Sequence, residues 1–371
     1  MNHSKQPMRP ALLFTLLLAL GAGTACDREE PLAEPTVSGD GTVTVVKESG
    51  SKRVVERGGK QVGGKYDEVF PPVHSPSAHD VAFPARTGDR WQVIRNGTPV
   101  GGEYDRVGRP EFSLDGSSLA FPARKNGEWF IVKDGKKVSK GCQQIGDLAL
   151  SGDGSSVAFV GWSDYRPTLV KDGQELGRDL ELDDAQELRF VPGSESVVCR
   201  AVADNRQFLA RDGKPITQRY NRIWTWAFGP DGESLAFVAM TDDEQYILVK
   251  DGKRLGEPFE AHDMRQLAFS PDSRHVAVPV RTADGWVVLL DGEPRGEPLQ
   301  ANNVVRLLFS PDGRALAYAA RSGKKWFVVK DGEPLDGRYD NVSGLRNSED
   351  GTELLFAGSR GGAPITVRHP W

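Results

Sequence analysis

Cysteine and histidine are scarce, three of the one and six of the other in 371 residues. Three cysteines leave room for one disulfide at most, and two of the histidines, His3 and His369, lie at the chain ends. No Gly-x-Ser-x-Gly elbow supports hydrolase chemistry, and no glycine-rich nucleotide loop follows a strand and opens a helix. A sustained 3.6-residue apolar period is missing, so helices should be few. Basic charge is not in excess: 47 Lys and Arg stand against 52 Asp and Glu, a net charge of −5. That balance argues against nucleic acid held by a general positive field. Beyond the N-terminus no apolar run is long enough to cross a bilayer.

Glycine (42) and proline (24) are plentiful, so turns should be frequent. At the N-terminus Lys5 and Arg9 precede the apolar stretch Ala11–Leu20 and the small residues "GAGTA". Residues 1–25 therefore read as a secretory signal. The cysteine that follows makes the segment resemble a bacterial lipoprotein signal, although Gly23 stands where that family usually has Leu. The resemblance implies acylation of Cys26, and the alternative is an ordinary signal cut near Ala25 that leaves a free thiol. Loss of residues 1–25 removes two basic residues and no acidic one, which takes the charge from −5 to −7. Residues 26–42 are acidic, contain Pro and Gly and have no apolar period, so they are expected to form a flexible tether. Residues 43–371 are expected to be the folded body.

Within that body one pattern recurs. "FSLDGSSLAF" (Phe112–Phe121) returns as "LSGDGSSVAF", "FVPGSESVVC", "FGPDGESLAF", "FSPDSRHVAV", "FSPDGRALAY" and "NSEDGTELLF", after a degenerate first copy, "HSPSAHDVAF" (His74–Phe83). The copies are spaced 38 to 41 residues apart. A second turn keeps the same phase, as in "VIRNG", "IVKDG" and "VVKDG". Asn-Gly or Asp-Gly between apolar runs is a strong hairpin signal, because a type I′ turn needs positive φ at both central residues. Each unit thus reads as four short strands, and such units at this spacing predict an all-β propeller. "VVERGGKQVGGKYDEV" (Val54–Val69) matches the back half of a unit, and the chain stops one strand after Phe356. The expected closure is a ring of eight blades in which the two termini share one blade. Seven blades are the alternative if the copy at His74 is not a true blade.

The repeats resemble the WD-repeat-like propeller family whose blades carry a Phe-Ser-Pro-Asp-Gly turn, as in TolB-type propellers. "KYDEV" and "RYDNV" add a fainter likeness to bacterial Trp-Gly repeats. The Gly-His and Trp-Asp pairs of eukaryotic WD repeats are missing. The resemblance implies a fold and a binding habit, with no reaction, cofactor or metal attached.

Repeat phase separates core positions from candidate functional ones. Cys199 stands where other units have Phe or Tyr, and Cys142 where others have Tyr104, Tyr220 and Tyr339, so both should be buried, inert thiols. Trp91, Trp129, Trp286 and Trp326 share one slot and should pack between blades. His74, His79 and Asp80 lie in the degenerate turn and lack the further ligands a metal needs. One slot varies in charge, three residues before a repeated apolar position: Arg109, Asp147, Glu187, Thr225, Gln266 and Arg306. Arg109, Asp147, Glu187, Gln266 and Arg306 are therefore candidate rim or channel residues for a protein or peptide partner. The expected protein is a monomeric, non-catalytic scaffold, lipid-anchored in the bacterial cell envelope, periplasm-facing or at the surface. An envelope enzyme or a small-molecule sensor with its site at an axial mouth remains the alternative.

Overall fold

The Asp-Gly pairs form corners of the fold. A computed structural model describes residues 35–371 apart from 39, 40, 78, 262, 265 and 266. The signal, Cys26 and Gln266 therefore lie outside the described residues. In the second turn of a unit both residues of the pair have positive φ, for example 49° and 79° at Asp134-Gly135 and 51° and 90° at Asp331-Gly332. Two successive left-handed residues make the type I′ turn, whose twist suits a hairpin. Asp is used because its carboxylate also accepts the backbone N–H that opens the second strand of the same unit. Leu119, Val157, Val197 and Leu316 donate in this way to Asp134, Asp172, Asp212 and Asp331 at 2.8 to 3.0 Å.

The other turn is locked by its own serine. The hydroxyls of Ser113, Ser270 and Ser310 donate to Asp115, Asp272 and Asp312, each at 2.6 Å. Those bonds hold the three carboxyls below the usual carboxylate range. Asp153 is lowered to about 2, chiefly by the backbone N–H of Ser155.

Between these turns the described residues form nine antiparallel sheets, spanning 36–66, 68–104, 106–137, 144–176, 184–215, 222–259, 263–299, 303–334 and 341–370. The one helical element among them is a single 3-10 turn, Arg178–Leu180. Within each sheet the strands follow chain order. In the second, third and seventh sheets the first strand is broken in two. The cause lies in the second strand, where Pro84, Pro122 and Pro279 occupy the fourth position. The carbonyls of Pro84 and Pro122 still accept from Phe70 and Gly108. A proline has no N–H to return, so the ladder is interrupted there.

The core is a series of interfaces. Each of the eight clusters of buried apolar residues joins two consecutive sheets. Period-2 alternation in the second strand explains this. A small residue at its second position faces the following sheet, and a large one at its third position faces the preceding sheet. Ala82 thus meets Phe121, Ala120 meets Phe159, Ala277 meets Tyr318 and Ala317 meets Phe356. Burying each such aromatic contributes roughly 1.5–3 kcal/mol. A basic side chain just before the Asp-Gly or equivalent turn stitches some of the interfaces: Arg57, Arg95, Lys133 and Lys330 donate to carbonyls of His79, Ser117, Ser155 and Pro370 in the next sheet.

The expected count and latch are corrected. Nine sheets are present where eight were expected, the copy at His74 included, and the termini do not share one. Lys52–Arg57 pairs with Val43–Ser49 on one side and Lys60–Tyr66 on the other, and Ala363–Pro370 pairs with Glu353–Arg360. The reason is local. "VTVVKES" supplies the front strand through a two-residue link, so no distant partner is needed. Pairing also reaches into the expected tether, where Thr36 and Val37 lie opposite Thr44 and Val43. No cluster among the described residues joins the ninth sheet to the first. The first sheet carries the pair Lys47–Glu56 beside the buried Val54, and the ninth the pair Arg368–Glu353 beside the buried Leu355.

Candidate functional site

The charge-variable slot is a β-bulge in the first strand of several sheets. Register shifts between Ile145 and Leu148, between Gln186 and Arg189, and between Val305 and Leu308. Asp147, Glu187 and Arg306 sit in those three bulges. Glu187 has φ 54° and Arg306 φ 62°, and the equivalent residue of the ninth sheet is Gly344, also at φ 62°. Two charged residues thus hold a backbone shape that glycine adopts freely, at a cost of about 1 kcal/mol each. In the sixth sheet the irregularity falls one residue earlier, at Trp224, and Thr225 is buried.

The sheets carry these residues to different surroundings. Arg109 is exposed, with Glu111 4.0 Å away. Arg306 is exposed on the eighth sheet. Asp147 reaches across from the fourth sheet to accept the backbone N–H of Leu188 in the fifth, at 3.3 Å. Next to that bond Glu187 faces two arginines, with Arg200 at 3.0 Å and Arg189 at 3.7 Å. Asp147 and Glu187 are thereby brought into one cluster, which Arg109 and Arg306 do not join.

Arg200 escaped the sequence reading. It occupies the fourth position of the second strand, where the second to ninth sheets otherwise have Pro84, Pro122, Val160, Val238, Pro279, Ala319 and Ala357. A charge in that apolar series was the signal. The side chain is only 14% exposed, so its charge needs partners. It donates to the Ile223 carbonyl at 2.8 Å and to Gln186 Oε1 at 3.0 Å, in addition to Glu187. Arg189 donates to the Trp226 carbonyl at 3.1 Å and lies 4.6 Å above the Trp226 ring. Two buried donors have no acceptor, Arg200 Nε and Trp226 Nε1. The arrangement can hold a carboxylate between two guanidiniums beside an indole.

Other expected residues are placed as follows. Cys199 is buried and Cys142 half-buried, and both thiols are free. Burial, with a smaller push from Asp147, raises the Cys199 thiol to about 12. Trp91 and Trp286 are buried at interfaces between sheets. Trp129 is half-buried, and Trp91, Trp129 and Trp326 lie opposite Tyr104, Cys142 and Tyr339. His74 shares a hydrogen bond with Thr36 at 3.0 Å, and Asp80 pairs with Arg95.

No protein-family model matches the chain, and no curated protein matches it in sequence. Among solved structures, the crystal structure of a eukaryotic initiation factor is similar over 85% of this chain and 89% of that one, with 14% identity and a TM-score of 0.54. The Dos1 propeller is 13% identical over 83% of this chain and 93% of its own, with a TM-score of 0.44. The dihydro-heme d1 dehydrogenase NirN is 15% identical over 76% and 68%, with a TM-score of 0.42. At such identities the likeness concerns the fold alone. Successive face-packed, mostly four-stranded meanders define that fold as the β-propeller kind.

Proposed function

We propose that the protein is a non-catalytic, lipid-anchored scaffold of the bacterial cell envelope that binds a protein or peptide partner along the bulged edge of its first strands. The observation that carries this reading is the strained slot. Glu187 and Arg306 display charge from a backbone shape that glycine would hold at lower cost, and a sheet edge built only for stability has no use for that. The turn pattern supports kinship with TolB-type, WD-repeat-like propellers, and the segment ending at Cys26 supports acylation there.

Affinity capture from solubilised envelope tests the reading. Arg109, Asp147 and Arg306 are exposed, so changing all three to Ser should abolish recovery of a partner that the wild type retains, with melting lowered only slightly by loss of the Asp147 bond to the Leu188 N–H. Equal recovery by both proteins would refute it. Mass spectrometry of the mature N-terminus checks the anchor: a diacylglyceryl group on Cys26 is expected, and a bare cysteine would remove the membrane from the account.

A further inference from the structure

We infer that Arg189 and Arg200 form a receptor for a carboxylate of the partner, a side chain or a C-terminus, and that Glu187 fills it in the free protein. This rests on the partner-binding reading of the same edge and names the chemistry by which the partner is held.

Three observations converge on it. Arg200 is an isolated charge in a slot that seven sheets fill with Pro, Val or Ala. Packing alone would be served by valine, since replacing a buried ion pair by well-fitted apolar groups is often neutral or stabilising. A charge kept there is better explained by what it recognises.

The internal carboxylate is also a poor fit. Arginine receives a carboxylate best through two parallel N–H bonds. Glu187 uses one oxygen at Nη2 of Arg200, 3.0 Å away, while its other oxygen stands 3.7 Å from Arg189. Arg200 Nε is left without an acceptor, as is the indole N–H of Trp226 beneath Arg189. An incoming carboxylate, free of the strand that tethers Glu187, can take Nε and Nη2 together.

Finally, the plug is accessible from solvent. Glu187 is held at φ 54°, and its side chain and that of Arg189 are 31% and 42% exposed. Swinging Glu187 outward opens the pair to solvent.

The test follows the indole N–H signals of ¹⁵N-labelled protein during titration with succinate, with neutral succinamide as the control. Trp226→Phe assigns the reporting signal. A saturable shift of the Trp226 signal with succinate alone is expected. Glu187→Gln should tighten the apparent affinity by about tenfold, because removing the internal competitor raises the fraction of open sites. Arg200→Val should abolish the shift. If that variant does not fold, Arg200→Lys, which keeps the charge but not the fork, should abolish it instead. An unsaturable shift in Glu187→Gln, or equal shifts with succinamide, would overturn the proposal. Partner capture that still depended on Arg109, Asp147 and Arg306 would then leave the edge reading standing.

Discussion

The eighth and fifth sheets are built on the same plan and use it differently. In the eighth, Ser310 and Asp312 lock the first turn, Tyr318 fills the interface to the seventh sheet, and Ala319 follows it in the core strand. In the fifth, Val191 and Gly193 replace the serine and aspartate, Cys199 replaces the aromatic, and Arg200 replaces the alanine. Leu180 and Leu182, from the segment around the 3-10 turn, pack against the interface where Cys199 is small. The eighth sheet thus shows what stability asks of a unit, and the fifth shows a unit that gave up part of it around a charged cluster.

Truncating the two interface residues should break the symmetry most. Tyr318→Ala is expected to cost about 3–5 kcal/mol, the range for a buried aromatic, and Cys199→Ala about 1 kcal/mol or less. Denaturant titration of both would decide, and equal losses would contradict the contrast.

The turn glycines come next. Gly332 has φ 90°, and a Cβ there would lie 2.7 Å from the Gly296 Cα. Gly193 has φ 65° and open space around it. Gly332→Ala should therefore cost about 2–3 kcal/mol and Gly193→Ala about 1 kcal/mol, read from the same titrations.

Acid should separate the two turns less strongly. The Ser310 hydroxyl, followed by the backbone N–H of Arg314, holds Asp312 below the usual carboxylate range. A lowered folded value means that its contribution is complete above an unfolded value of about 4 and is lost as pH falls through the lower folded one. Asp312→Asn should lower the melting temperature at pH 7 and have little effect near pH 2. Gly193→Asp should gain nothing at pH 7, because Val191 offers no hydroxyl and the backbone there sits at φ 65°; melting curves across pH would show both.

The smallest effect is chemical. With its thiol raised to about 12 by burial, Cys199 should stay unmodified by a thiol reagent at pH 8 until the protein unfolds. Half-buried Cys142 should react first, and mass spectrometry of the labelled protein distinguishes them.

Much of this was legible in the sequence. Asp-Gly pairs specified the hairpins because few dipeptides accept two positive φ angles. The Ala-Phe alternation specified a sheet buried on both faces. The latch was misread because Val54–Val69 matches the back half of a unit, while its front strand, "VTVVKES", lacks the Ala-Phe pair and did not look like one. Arg109, Asp147 and Arg306 were found at exposed positions because charge varies there between units. Arg200 was missed because only strand register brings it beside Glu187.

The alternation of small and large residues has an evolutionary reading. Every regular sheet presents a shallow face forward and a bulky face backward, so any one of them can dock onto any other. Excising one regular unit would leave its former neighbours with surfaces that still fit, as Ala236 and Tyr318 would if the seventh were removed. Such a chain can lengthen or shorten by whole modules, and the fifth, with its altered joint, is the place where that freedom ends.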